Sequence, residues 1–276
     1  MLAMRIRPAL CVGVVLVIGG LFAASAMPVV SGWTLWADKA DASFSPAGLL
    51  PVPASGTVDV GFSQFMVIHH DQVVAMGQAV QKRGSQEVQA LGRKLAYDQL
   101  VEIGQLKGWL SLWEKPWIPP TSDMASWMTV RKNDADPVAL ADYLDLCRQT
   151  PGGMPGSASL EELNVLEQTA DPKKVDVLFL QYMIRHHQGG SPMLMYAAQH
   201  AETLVVRQAA FRMLVDQSKE VMRMGALLRN HGELPLAMPV PPPDLQALFD
   251  SLKPANNRVV QRLDQQRELM RGRTGG

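Results

Sequence analysis

Two short stretches of this sequence combine adjacent histidines with flanking methionines, and they are the residues best suited to chemistry. The stretches contribute Met66, His69, His70 and Met76 in the first case and Met183, His186, His187 and Met193 in the second. Thioether sulfur is a soft, uncharged donor and imidazole an intermediate one, so the combination favours Cu(I), and by the same softness Ag(I), over Zn, Mg or Ca. Histidines of unperturbed pKa, about 6.5, would lose such an ion below about pH 6.

Helical spacing places these donors on common faces. With 3.6 residues per turn, Met66, His69 and Met76 fall within about 80° of one another, and their counterparts do the same. His200 lies about 40° round the helix from His186 and extends the second stripe. The next helix of each copy offers Gln99, Glu102 and Leu106 in the first and Gln217, Glu220 and Met224 in the second. The second copy is therefore richer in potential ligands.

Ordinary core packing is the alternative interpretation of the same residues. Methionine is a flexible core filler, and a single buried histidine is usually a hydrogen-bonded core residue. Two observations favour a metal site over packing alone. The histidine pair with flanking methionine recurs at the same spacing, and four imidazoles are costly to bury without partners or a metal.

The histidine pairs belong to a duplicated unit that predicts the fold. The run from Asp59 (DVGFSQFMVIHHDQVVAMGQAV) aligns without gaps with the run from Asp176 (DVLFLQYMIRHHQGGSPMLMYA). Apolar positions recur at three and four in each copy, which predicts two helices of about 22 to 28 residues joined by a short polar stretch. One hairpin cannot bury both its apolar stripes. We therefore predict an all-α fold, a four-helix bundle built from two repeated helical hairpins.

Composition divides the chain into six segments. They are a signal peptide or membrane anchor (1–30), a linker (31–57), the first helical hairpin (58–112), a crossover (113–159), the second helical hairpin (160–232) and a Pro-rich connector with a helical tail (233–276). The crossover is rich in Pro, Gly and Trp, and we expect little regular structure in it. Whether the tail docks on the bundle or on an envelope protein partner stays open.

The N-terminal segment predicts export. Arg5 and Arg7 precede an apolar run from Ala9 to Val30, about the ~20 residues that cross a bilayer. Ala24-Ser25-Ala26 fits a cleavage site, yet the apolar run continues past it, so a cleaved signal and a retained anchor are equal alternatives. Both place the rest of the chain outside the cytoplasmic membrane, secreted or anchored by a single helix.

Charge and cysteine content exclude several classes of function. The 26 basic and 26 acidic side chains cancel, without a long Lys/Arg run, which argues against binding to nucleic acid. Cys11 lies in the apolar run and Cys147 in the body, so we expect no intramolecular disulfide.

The glutamates of the bundle do not form a di-iron motif. Di-iron bundles use Glu-x-x-His motifs, but Gln105 and Arg223 stand three positions after Glu102 and Glu220. This argues against an iron site.

Gly189-Gly190-Ser191-Pro192 follows the second histidine pair and predicts a kink, since proline cannot donate the helical hydrogen bond. The kink either opens the bundle to an ion or fits the helix around its neighbour.

The motifs FMVIHHDQVVAM and FLQYMIRHHQGGSPM, the downstream Gln-x-x-Glu pairs and MPG at Met154 resemble the domain-of-unknown-function family 305, in a duplicated form. The resemblance implies an exported or anchored ferritin-like four-helix bundle, and some members are implicated in binding Cu(I) or Ag(I) for copper resistance. It implies the eight Met and His residues of the two stretches as candidate ligands. Leu106 in place of Met224, and Gly77 after Met76, imply a weaker first site.

These observations together predict an extracytoplasmic protein that binds Cu(I) or Ag(I) for copper buffering, transfer or resistance, with no enzymatic turnover. Two alternatives remain. One is a metal-free helical module of the cell envelope that binds a protein through its Trp-rich crossover or C-terminal tail. The other is a ferritin-like metal oxidase.

Overall fold

The computed structural model describes residues 54–121, 123, 125–132, 134, 136–238 and 240. The predicted signal or anchor and the C-terminal tail lie outside these residues. The described part contains six α-helices and no strand: α1 Thr57–Ala79, α2 Gln86–Leu112, α3 Pro137–Gln149, α4 Leu160–Gln168, α5 Pro172–His200 and α6 Leu204–Asn230. The prediction of an all-α fold built from two repeated hairpins, α1–α2 and α5–α6, is confirmed. None of the described helices combines the length and apolar character needed to span a bilayer.

Close backbone approach joins the two helices of the first hairpin. A Cβ on Gly77 would lie 2.6 Å from the carbonyl oxygen of Gly92, and one on Gly92 would lie 2.7 Å from Val80. The turn between the helices ends at Ser85, whose side chain accepts a hydrogen bond from the N–H of Val88. Gly77 therefore serves the packing of α1 on α2, which accounts for a glycine at a position where helix propensity alone disfavours it.

The hairpins cap each other's second helices through equivalent aspartates. Asp59 in α1 is fully buried and accepts hydrogen bonds from the N–H and the hydroxyl of Thr203, the residue that precedes α6. Asp176 in α5 accepts one from the N–H of Ser85, which precedes α2. A carboxylate at a helix N-terminus satisfies free N–H groups and complements the helix dipole. The two hairpins are thereby tied together reciprocally.

Two apolar clusters fill the bundle, and their membership shows that α1 and α5 run antiparallel. The first cluster joins the beginning of α1 to the end of α5, with Phe62 and Met66 in the same cluster as Met193 and Ala201. The second joins the end of α1 to the beginning of α5, with residues such as Val73, Met76, Phe179 and Met183. We call them the first and second apolar clusters.

The crossover contains a helix that we did not predict. The expectation of little regular structure over 113–159 is corrected by α3, thirteen residues long. Asp136 caps it, Pro137 occupies its first turn, and Tyr143, Leu144 and Cys147 are its buried positions. These are ordinary helix signals, and they were obscured by the Pro- and Gly-rich sequence on both sides.

Two segments before α5 contact the bundle through side-chain hydrogen bonds. One is the end of the crossover, and the other is the first part of the predicted second hairpin. Gln72 in α1 exchanges two hydrogen bonds with the backbone of Ala158. Arg185 in α5 donates two hydrogen bonds, one to each carboxylate oxygen of Glu162 in α4. Residues 160–168 thus form a short helix of their own, and the long helix α5 begins only at Pro172, after the cap Asp171.

The described beginning of the C-terminal connector lies on the bundle. Gln181 in α5 donates a hydrogen bond to the carbonyl of Leu234. Leu236 packs against the second apolar cluster, and Met238 and Val240 belong to or pack against the first. Residues 234–238 and Val240 therefore lie along the bundle, from the second apolar cluster to the first.

Candidate metal centre

Four histidines lie in a polar layer between the two apolar clusters. His69 and His70 come from α1, His186 and His187 from α5, and all four are completely buried. On the second helices of the hairpins, Glu102 in α2 and Glu220 in α6 contact these histidines, and the buried Gln99 and Gln217 lie one turn earlier on the same helices. We call these eight residues the histidine layer.

His69 and His186, equivalent residues of the two repeats, meet at the centre of this layer. Their ring centroids lie 3.8 Å apart, and Nε2 of His186 donates a hydrogen bond of 3.0 Å to the carbonyl of His69. The His69 ring lies over Gly190, where a Cβ would approach its Cε1 and Nε2 to 2.7 Å. The equivalent position in the first repeat is Val73, whose side chain prevents the ring of His186 from packing on the α1 backbone in the same way.

The second histidine of each pair contacts a glutamate. Nε2 of His187 is hydrogen-bonded to Oε2 of Glu220 at 2.8 Å. Nε2 of His70 lies at the same distance from Oε2 of Glu102, but the approach lacks the angle of a hydrogen bond. Both contacts join α1 or α5 to the second helix of its own hairpin.

Several polar atoms of the layer have no hydrogen-bond partner within the part of the chain that the structure describes. They are both ring nitrogens of His69 and of His70, Nδ1 of His186, Nδ1 of His187, Oε1 of Gln99, Oε2 of Glu102 and both side-chain polar atoms of Gln217. His70 and Glu102 are included because their close approach lacks the angle of a hydrogen bond. Buried polar atoms in proteins nearly always have a partner, which includes water and ions. Imidazole nitrogens of this kind fit a metal ion as that partner.

Burial controls the protonation of three of the four histidines. It lowers the pKa of His69 and of His186 well below the usual 6.5, and neighbouring histidines lower these pKa values further. Burial likewise lowers the pKa of His70 to about 3. Our expectation that binding weakens below about pH 6 assumed unperturbed histidines and is corrected for these three. They are uncharged at neutral pH, which is the form that binds metals.

Burial acts in the opposite direction on Glu102, because desolvation disfavours the charged form of any group. It raises the pKa of this carboxyl from 4.5 to about 7, and the nearby Glu220 adds to the shift.

The methionines bracket the histidine layer in a grouping that differs from their order in the sequence. Met66 and Met193 belong to the first apolar cluster, together with Leu106. Met76, Met183 and Met224 belong to the second. All five are at most 2% exposed. Along α1, Met66 and Met76 are about 15 Å apart, so each side of the layer combines thioethers from both repeats.

His200 lies outside the layer. It is the last residue of α5, about 21 Å along the helix from His186. Its Nε2 is 2.7 Å from Oδ1 of Asp134, and its Nδ1 is 3.2 Å from the guanidinium of Arg131. Partial burial, and then the charge of Arg131, lower the pKa of His200.

The glycines after the second histidine pair lie inside a continuous helix and permit close contacts. A Cβ on Gly189 would lie 1.8 Å from the carbonyl oxygen of Pro155, and the Gly189 carbonyl accepts a hydrogen bond from the Tyr143 hydroxyl. Both glycines are buried. These contacts favour the alternative in which the Gly-Gly-Ser-Pro stretch fits α5 around its neighbours.

Comparison with known proteins matches the sequence to one family over both hairpins and the crossover. Residues 59–228 match the family described as "Domain of unknown function (DUF305)". This chain belongs to the DUF305 family. None of the curated proteins matches the chain.

Solved structures of other DUF305 proteins share the fold. A DUF305 protein from Streptomyces coelicolor, assigned as secreted, is 29% identical over 65% of this chain and 97% of its own, with a TM-score of 0.55. A DUF305 fragment from Deinococcus radiodurans is 22% identical over 64% of this chain and 99% of its own, with a TM-score of 0.50. The protein CopM in its Cu(II)-bound form is 22% identical over 62% of this chain and 96% of its own, with a TM-score of 0.44. That likeness is too distant to carry an inference about this chain.

The two glutamates of the layer are the contacts that sequence reasoning missed in this DUF305 protein. The sequence analysis places Glu102 and Glu220 on the helix that follows each histidine pair, but it does not predict that each glutamate contacts the second histidine of its pair. Their recurrence in a Gln-x-x-Glu pattern, on the helix facing each histidine pair, was the available signal. Among the described residues, no group of three His, Cys, Asp or Glu side chains is arranged to hold a metal ion.

Proposed function

We propose that this DUF305 protein is an extracytoplasmic metal-binding protein that holds Cu(I), or Ag(I), through histidine nitrogen and methionine sulfur. Its role would be copper buffering, transfer or resistance, without enzymatic turnover. The observation that carries the proposal is the set of buried imidazole nitrogens without partners, in a layer bounded on both sides by buried thioethers.

The chemistry of these donors suits a soft monovalent cation. Thioethers bind without losing a proton, and burial lowers the pKa of His69, His70 and His186 so that these three are uncharged at neutral pH. Our proposed ligands are the four histidines of the layer with Met66 and Met193 on one side and Met76, Met183 and Met224 on the other. His200 is too far along α5 to join them.

The glutamates provide a route of approach for a cation. The side chains of Glu102 and Glu220 are 24% and 14% exposed, while the histidines behind them are completely buried. Carboxylates at the edge of a buried site raise the local concentration of cations. The apolar clusters above and below the layer exclude water from the bound ion.

The extracytoplasmic location rests on the N-terminal sequence, with Arg5 and Arg7 before the apolar run. The Streptomyces coelicolor protein, which is assigned as secreted, supports it. Protease added to intact cells should digest the body of this protein if the location is right, and digestion only after lysis would contradict it.

An anaerobic titration of the full chain with Cu(I) against a competing chelator tests metal binding. We expect at least one tight site, and Met183→Leu combined with His186→Ala should weaken it. Met222→Leu is the matched control, because Met222 lies on α6 with 67% of its surface exposed. Absence of uptake by the wild-type protein would overturn the proposal, and oxygen consumption by the loaded protein would indicate an oxidase instead.

A metal-free interaction module is the second candidate, and one surface favours it. Leu112 at the end of α2 is 62% exposed, and Trp117 and Ile118 at the start of the crossover are 51% and 72% exposed. Nearby, Pro116, Pro119 and Trp127 line a groove of about 450 Å³. A pull-down from envelope extract that depends on Trp117 and Ile118, by a protein that takes up no Cu(I), would favour this function.

A further inference from the structure

The hydrogen bond of His186 determines which of its ring nitrogens is free. Its Nε2 lies 3.0 Å from the backbone carbonyl of His69, and a carbonyl can only accept. Nε2 therefore carries the proton. A neutral imidazole then has its lone pair on Nδ1, which in this histidine is buried and has no partner among the described residues.

His187, the next residue, makes the corresponding bond with a carboxylate. Its Nε2 is hydrogen-bonded to Oε2 of Glu220 at 2.8 Å, and an ionised carboxylate also only accepts. Nδ1 of His187 is again buried without a partner in the part of the chain that is described. Two consecutive imidazoles on α5 thus carry unpaired Nδ1 atoms inside the protein.

We propose that Glu220 is a positioning residue for the metal site, which holds His187 in the Nε2–H tautomer so that Nδ1 of His187 binds the ion. Nδ1 of His186 binds in the same way, with its tautomer set by the carbonyl of His69. This inference rests on the proposed function and names the binding atoms of the second repeat. A histidine that donates its other N–H to a carboxylate is oriented and made a stronger ligand.

The first repeat lacks the same degree of preorganisation. Glu102 reaches Nε2 of His70 at 2.8 Å without hydrogen-bond alignment, and its side chain is more exposed than that of Glu220. The second repeat also has Met224 where the first has Leu106. We therefore assign the better-prepared half of the site to α5 and α6.

Nitrogen NMR of the full chain, labelled with ¹⁵N in its histidine rings, tests the tautomers directly in the metal-free protein. We expect His186 and His187 to be protonated at Nε2 and unprotonated at Nδ1. Glu220→Leu should convert His187 to a mixture of tautomers and leave His186 unchanged. Glu220→Gln should preserve the wild-type tautomer, because the amide oxygen still accepts. Glu87→Leu, on an exposed position of α2, is the control for a lost glutamate.

Titration of the same samples with Ag(I), a diamagnetic ion, identifies the binding atoms. We expect the Nδ1 signals of His186 and His187 to move, and Glu220→Leu to weaken Ag(I) binding by about 10- to 100-fold. Glu220→Gln should recover most of that loss, which a purely structural defect would not allow.

The outcomes separate this inference from the proposed function. A proton on Nδ1 of His187 in the metal-free wild type, or binding of Ag(I) through Nε2, would overturn the inference while metal binding stands. Failure of both Ag(I) and Cu(I) to bind would overturn the proposed function and the inference together. Equal weakening by Glu220→Leu and Glu220→Gln would exclude the positioning role.

Discussion

His69 and His186 are equivalent residues of the two repeats, and their imidazole rings meet edge to face in the middle of the bundle with centroids 3.8 Å apart. They meet because α1 and α5 run antiparallel and cross at this level. Each hairpin alone supplies the glutamate contact of its second histidine, but the contact of the first histidine requires the other hairpin. The layer that we propose as a metal site is therefore a property of the assembled pair of hairpins.

Replacing Gly190 should destabilise the fold, because the His69 ring packs directly against this glycine. A methyl group there would approach Cε1 and Nε2 of His69 to 2.7 Å, so we expect Gly190→Ala to lower the free energy of unfolding by about 1–3 kcal/mol. Urea unfolding measures this. Gly108→Ala on α2 is the control: nothing lies within 4 Å of its Cβ, and it should stabilise by about 0.4–1 kcal/mol. Wild-type stability for Gly190→Ala would contradict the described packing.

The reciprocal caps should differ in strength. Asp59→Ala leaves the N–H and hydroxyl of Thr203 without their acceptor, and each unsatisfied buried donor costs about 1–3 kcal/mol. Asp176→Ala removes the acceptor of a single N–H, that of Ser85. We expect the first substitution to lower the midpoint of thermal unfolding by more than the second. Equal shifts, or the reverse order, would show that the extra bonds of Asp59 contribute little.

Acid should destabilise the metal-free protein through its buried histidines. His69, His70 and His186 have pKa values lowered by burial, to about 3 for His70, whereas the unfolded chain titrates them near 6.5. Below pH 6.5 the unfolded state binds more protons, so the free energy of unfolding falls as pH falls, by up to about 1.4 kcal/mol per pH unit for each histidine. Urea unfolding at a series of pH values between 7 and 4, with chelator present, measures the slope.

Glu102 opposes the loss of stability on acidification between about pH 7 and pH 4.5. Its pKa is raised to about 7, so the folded state holds a proton that the unfolded state releases above about pH 4.5, and its contribution to stability grows as pH falls. One carboxyl opposes three histidines. Stability that stays level or rises between pH 6.5 and 4.5 would mean that the histidines are solvated or paired in the folded state.

Leu106→Met should strengthen metal binding on the side of the layer that has two proposed thioether ligands rather than three. Leu106 is fully buried in the cluster that holds Met66 and Met193, and the equivalent residue of the second repeat is Met224. Leu-to-Met exchange conserves volume and costs less than about 1.5 kcal/mol. We expect a higher Ag(I) affinity or stoichiometry by competition titration.

Leu110→Met is the matched control for that substitution, since Leu110 is equally buried but lies one turn further from the histidines. Equal gains from both substitutions would indicate non-specific thioether binding. No gain from Leu106→Met would show that a thioether at this position does not reach the bound ion.

Sequence reasoning predicted the elements of the bundle but missed a helix between them. The recurrence of apolar residues at three and four predicted α1, α2, α5 and α6, because that pattern is local and survives in any bundle. The cap Asp136 and the buried positions of α3 are signals of the same kind, yet we gave more weight to the surrounding prolines and glycines. That error came from weighing local signals, since no distant contact was needed to find this helix.

The sequence by itself determined the residue types of the candidate site, the duplication and the faces that the donors occupy, since all three follow from spacing along one chain. Only the tertiary structure decided which thioethers share a side, and it joined Met66 to Met193 rather than to Met76. It also decided the partners of each imidazole: the carbonyl of His69 for His186, and Glu220 for His187. Such contacts depend on the antiparallel register of two hairpins, which the summed packing of both clusters sets and helical periodicity within one segment does not encode.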